Sequence, residues 1–236
     1  MNENYPIVEL LGIRFNVANC LSGLLAAVLV FILVFALSRK VEMKPGKAQN
    51  FLEWMMDFTN GIVKSAIPGN EGRTFYLYAF VMFLFIFVSN QIGLFLQITV
   101  HGQPIIKSPT ASPLVTMALA LITLLLSHYY GVKKYGIGDY LGSYIKPVGF
   151  LLPINLIEEF TNFMTLSLRL YGNIFAGEIL LALIGSMAHS FGIATFIGVM
   201  PIEMIWQGFS VFIGSIQAYV FTTLSMVYIS HKLERE

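Results

Sequence analysis

The stretch VGFLLPINLIEEFTNFMTLSLRLYGNIFAGEILLALIGS, residues 148–186, is apolar along most of its length, yet it carries Glu158, Glu159, Arg169 and Glu178. At about 39 residues, a helix rising 1.5 Å per residue would extend to about 58 Å. A bilayer core is about 30 Å thick and needs about 20 apolar residues per crossing. An ordinary tilt of about 20° does not reconcile the two lengths, so the segment is either steeply inclined or broken. The next apolar interval, Phe191 to Ser230, is just as long. Gly185, His189, Ser190 and Gly192 mark an outside turn between them, which predicts a hairpin of two long helices over residues 148–230.

Three further intervals between charges are long enough to cross, from Phe15 to Ser38, Phe75 to Thr99 and Pro113 to Gly131. The composition requires lipid around them: 56% of the 236 residues are hydrophobic, 11% are charged and the mean hydropathy is +0.74. A soluble chain carries roughly 25% charged residues to cover its surface. The expected fold class is therefore an all-α integral membrane protein, a single membrane domain over residues 1–236 with five crossings. The acidic head with Glu3 and Glu9 lacks the positive charge that precedes the apolar core of a signal peptide, so the first crossing is expected to be retained.

Net charge is +1 with no long basic run, which removes nucleic acid as a partner. Cys20 is the lone cysteine, and His101, His128, His189 and His231 are scattered, so no metal site is expected. No phosphate cradle appears, so no cofactor and no direct nucleotide contact are expected.

Positive charge fixes the expected orientation. One set of loops holds Arg39, Lys40, Lys44, Lys47, Lys64, Arg73, Lys133, Lys134, Lys146, Lys232 and Arg235, and the opposite set only Arg14 and Lys107. That places the N-terminus outside and the C-terminus in the cytoplasm. Residues 47–67 are interrupted by Glu53, Asp57 and Lys64, but Phe51, Trp54, Met55, Phe58 and Ile62 recur at helical spacing. An amphipathic helix flat on the cytoplasmic surface is predicted, the alternative being a helix packed on the protein's own loops.

A charge at the bilayer centre costs about 2.5–3.5 kcal/mol on insertion scales, and a guanidinium, unlike a carboxylate, does not escape by neutralising. At about 100° per residue, Asn155, Glu158, Asn162, Thr165 and Asn173 fall within about 40° of Arg169, making one polar stripe. Glu178 and Ser167 come out on the opposite face. In the last interval Glu203, Trp206, Ser210 and Tyr228 return close to Gln217. Plainer roles stand beside each: an internal ion pair for Arg169, a hydrogen-bonded carboxyl for Glu178, a solvated helix start for Glu158 and Glu159, interhelical bonding for Gln217, an interfacial carboxylate for Glu203. Ser89, Asn90 and Gln91 either line a wet vestibule or bond between helices.

Leu166-Ser-Leu-Arg169-Leu-Tyr-Gly-Asn173-Ile-Phe-Ala-Gly177-Glu178 resembles the signature helix of the subunit a family of F-type ATP synthases. Ile216-Gln217-Ala-Tyr-Val-Phe-Thr-Thr-Leu-Ser-Met-Val-Tyr228 resembles that family's last helix, and Ser108-Pro-Thr-Ala111 its outer loop. The resemblance runs from about Pro6 to His231 and is to bacterial members.

It implies a stator subunit in the bacterial plasma membrane, beside a rotating ring of c subunits and the b subunits of the peripheral stalk, with two offset aqueous half-channels. By the same resemblance Arg169 is the essential arginine facing the ring, with Asn173 and Gln217 near it. Glu178 belongs to the outer half-channel, with Ser210 one polar contact away, and Glu158 or Glu159 to the cytoplasmic one. Asn162, Glu203, Tyr228 and Asn90 are secondary candidates. Ser210 replaces a His or carboxylate of some relatives, and Ser112 stands where many bacterial members have Asp. A secondary transporter would show inverted repeats, and none is seen. An intramembrane hydrolase would need a Ser/His or Asp/Asp set at workable spacing, which is also missing.

Overall fold

The computed structural model describes residues 7–10, 13–96, 98–100, 103–145, 152–188 and 193–234. Its helices are α1 (Val17–Ser38), α2 (Lys47–Ala66), α3 (Tyr76–Phe95), α4 (Pro113–Tyr135), α5 (Ile137–Ile145), α6 (Leu152–Ala188) and α7 (Ile193–Leu233). Among the described residues, five helical segments are long and apolar enough to cross a membrane: α1, residues 71–95, α4, α6 and most of α7. The all-α membrane class is what the chain forms. The expected turn residues His189, Ser190 and Gly192, with Glu3, His101, Lys146 and Arg235, lie outside the described residues.

Local chemistry explains the ends. Asn16 Oδ1 accepts the Asn19 N–H at 3.3 Å and caps α1. Pro113 opens α4, where its missing N–H costs nothing. Lys133 and Lys134 complement the dipole of its last turn, and Gly136 ends it at φ +81°, a conformation costly for any side chain.

Neither long helix is broken. Helix α6 runs unbroken for 37 residues and α7 for 41, the latter through Pro201, which withdraws one N–H from the ladder. They pack along each other, and α7 is central, touching α2, α3, α4 and α6. Its Met226, Ile229 and Leu233 meet Ile62, Val63, Phe75 and Ala79 in one apolar cluster. Its Ala218 and Phe221 meet Met82, Ile86, Leu119, Leu166 and Leu170 in a second. A polar tie crosses this core, with Tyr78 Oη 2.7 Å from Thr123 Oγ1 and Thr123 3.4 Å from Ser225 Oγ.

Three features differ from expectation. Helix α2 buries Gln49, Leu52, Thr59, Ile62 and Val63 against α1, α3 and α7, while Phe51, Trp54 and Phe58 are exposed and stacked on one another. The helical spacing had merged two neighbouring faces, because it registers apolar residues without saying what covers them. Two short antiparallel hairpins also occur, β1 (Ile7–Leu10) with β2 (Ile13–Asn16) and β3 (Ile98–Val100) with β4 (Gln103–Ile106), in stretches rich in β-branched residues. The third is α5, nine residues long, whose Tyr140 is buried against Gly131, where a Cβ would come within 2.6 Å of the ring.

Candidate functional site

Two cavities, each of about 390 Å³, open along the α6–α7 pair, one toward each end. The lower one, at the end holding the start of α6 and the close of α7, is bordered by Asn155, Glu158, Glu159 and Asn162 from α6 and Tyr228, His231 and Lys232 from α7. Its two α6 carboxylates have different surroundings. Glu158 is exposed, whereas Glu159 forms an ion pair with the buried ammonium of Lys232 and lies 3.9 Å from His128 Nε2. His128 Nδ1 is in turn 2.5 Å from Tyr140 Oη, so this junction joins α4, α5, α6 and α7.

Lining the upper cavity are Asn90, Gly93, Asn173, Gly177, Glu178, Trp206 and Ser210, among others. Glu178 and Ser210 are both about 9% exposed and share this space across the α6–α7 contact. Glu178 Oε2 lies 3.6 Å from Lys107 Nζ. Helix α3 comes close because it has glycine there: a Cβ on Gly93 would stand 2.4 Å from Ser108 Cβ and 3.0 Å from Glu178 Oε1. The loop before α4 is tied down by Ser108 Oγ donating to Ser89 C=O at 3.0 Å and Thr110 Oγ1 donating to Asn90 Oδ1 at 2.7 Å. Asn90 Nδ2 donates to Gly214 C=O at 2.9 Å. Buried Asn90 therefore bonds between elements through its side chain and Ser89 through its backbone carbonyl, and Asn90 also borders the cavity.

Arg169 lies between the two cavities. On α6 the lower cavity ends at Leu166 and the upper begins at Asn173; on α7 they are bounded by Ile213 and Tyr228. Arg169 is exposed on the outer face of α6, and Leu166 and Leu170 are buried behind it. Tyr228 is within electrostatic range of the guanidinium. One turn further on, Asn173 Nδ2 donates to Gln217 Oε1 at 2.8 Å, which links the two polar stripes. Gln217 is buried and Asn173 exposed.

The structure thus brings Asn173 to Gln217, Glu178 to Ser210, and Asn162, Glu158, Glu159 and Tyr228 to one cavity. It does not bring Arg169 to Glu178, nor Glu203 to either of these cavities; Glu203 is half-buried on α7. Ser112 is held by Asn19, whose Nδ2 donates to its Oγ at 2.9 Å. Sequence reasoning missed Lys107, Lys232 and His128 as partners of the carboxylates. The two lysines had been counted only as loop charges; their nearness to an apolar segment was the available signal.

With a cavity toward each end of its longest helix pair and an exposed guanidinium between them, the chain belongs to the class of multi-pass helical membrane proteins. Comparison with known proteins narrows that class. The family profile described as ATP synthase A chain matches residues 20–230. The chain is 54% identical over 235 residues to ATP synthase subunit a of Pediococcus pentosaceus, covering 99% of each. To the subunit of the same name from Limosilactobacillus fermentum it is 52% identical over 228 residues, 97% of each, and to that of Enterococcus hirae 51% over 238 residues, 100% of each. The chain belongs to the bacterial ATP synthase subunit a family, membrane subunits concerned with ATP synthesis and proton transport.

Proposed function

We propose that this chain is the proton-conducting stator subunit of a rotary ATP synthase, and that its two cavities are offset half-channels separated by Arg169. The observation that carries this is the interruption: the two cavities stop on either side of Arg169 on α6 and of Gln217 on α7, each holding a glutamate in its lining. The c-ring would sit against the exposed face of Arg169 and Asn173, and the b subunits elsewhere on the stator. Loop charge supports an upper cavity that faces outside, a lower one that faces the cytoplasm, and α2 on the cytoplasmic surface. The length of α6 and α7 supports an inclined crossing for both.

A proton entering past Glu178 and Ser210 neutralises a ring carboxylate, which can then turn into lipid; an ionised one is held back by its desolvation cost. A ring carboxyl returning protonated meets Arg169, whose charge stabilises the ionised form and so favours release of the proton toward Glu158 and the lower cavity. The contact must stay transient, since an over-stabilised pair would lock the rotor. Each charge crossing 100 mV yields about 2.3 kcal/mol, so several are required per nucleotide made elsewhere in the complex.

Cysteine accessibility tests this in assembled complexes. Cysteines at positions 178 and 210 should react with a small aqueous thiol reagent added outside, and one at 158 with reagent added inside. Equal labelling of all three from both sides would overturn two offset channels.

A further inference from the structure

We propose that Lys107 is a positioning residue of the upper half-channel, its ammonium holding the Glu178 carboxylate in place within the cavity between α3, α6 and α7. This rests on the half-channel reading above. Lys107 Nζ is 3.6 Å from Glu178 Oε2, and the two side chains are only 12% and 9% exposed. A cation so nearly removed from water carries a large desolvation penalty, which a merely structural contact does not require; the serines and threonines alongside bind the same loop without charge.

The loop carrying the lysine is fixed at its backbone. The Lys107 N–H donates to Ser22 Oγ on α1 at 3.2 Å, and Ser22 is buried. Directly after it, Ser108 Oγ donates to Ser89 C=O and is 2.8 Å from Thr110 Oγ1. The backbone of the lysine is therefore anchored to α1 and the side chain of its neighbour Ser108 is tied to α3, while the carboxylate is carried by α6. With Gly93 leaving no side chain between them, the pair fixes where the Glu178 carboxylate stands relative to Ser210 and the cavity. A carboxylate passing protons by hydrogen bond must keep its geometry to within a few tenths of an ångström, and a point charge on an anchored loop supplies that constraint.

The test uses assembled ATP synthase in vesicles, comparing ATP-driven proton pumping of Lys107→Met, Lys107→Arg, Glu178→Gln and the double variant Lys107→Met/Glu178→Gln. Lys107→Met should lower pumping about fivefold or more at unchanged assembly, and Lys107→Arg should retain at least about half the parental rate. In the Glu178→Gln background, Lys107→Met should cost less than about twofold further, because the lysine acts through that carboxylate. Parental pumping by Lys107→Met overturns the proposal, as does a full further loss in the double variant. Should Lys107→Met not assemble, Lys107→Gln takes its place; failure of both to assemble shows a folding role and also overturns it. The half-channel reading fails separately, by normal pumping in Glu178→Gln.

Discussion

The Glu159 carboxylate meets the ammonium of Lys232, and Glu158, one residue earlier, is exposed at the lower cavity. A side chain 9% exposed that loses this carboxylate keeps a largely desolvated positive charge without the anion set against it. Glu159→Gln should therefore lower the stability of the subunit by about 3 kcal/mol, the low end for breaking a buried pair, and adding Lys232→Met should recover much of it. Thermal denaturation of the purified complex checks this; equal stability of Glu159→Gln and Glu158→Gln would count against it. The carboxylates near the other end divide similarly. Glu178→Gln should slow proton transport at least about tenfold, and Glu203→Gln much less, because only Glu178 lines the upper cavity. Rates of ATP-driven pumping decide it.

Among the elements, the approach of α3 to the α6–α7 pair shapes the upper cavity. It depends on Gly93, and on Gly214, where a Cβ would come within 3.3 Å of Asn90 Cβ. Gly93→Ala would press its methyl against Ser108 and Glu178, which costs about 1–3 kcal/mol for overpacking and should also reduce pumping through the displaced carboxylate. Stability and pumping both at parental values would contradict the packing described. Much at this scale was legible in the sequence. The interval from Val148 to Ser186 anticipated α6 at Leu152–Ala188, and that from Phe191 to Ser230 anticipated α7 at Ile193–Leu233, because charges bound the apolar runs. The pairing of Glu178 with Lys107 and of Glu159 with Lys232 was not legible. A helical wheel orders residues within one helix, and these contacts join side chains about seventy residues apart. The division of α2 into a packed face and an exposed aromatic face was hidden for a related reason, since protein and lipid both select apolar residues.

Over the whole molecule, the proposed function turns on two cavities that end on either side of Arg169 along α6. If Arg169 is the barrier between them, removing its charge should join them into a proton path that needs no rotation. The most direct measurement is passive proton conductance of vesicles containing assembled complexes with Arg169→Ala, in the absence of nucleotide and under an imposed potential. The account predicts a conductance well above that of the parent together with loss of ATP synthesis. Synthesis retained, or a conductance equal to the parent's, would contradict it.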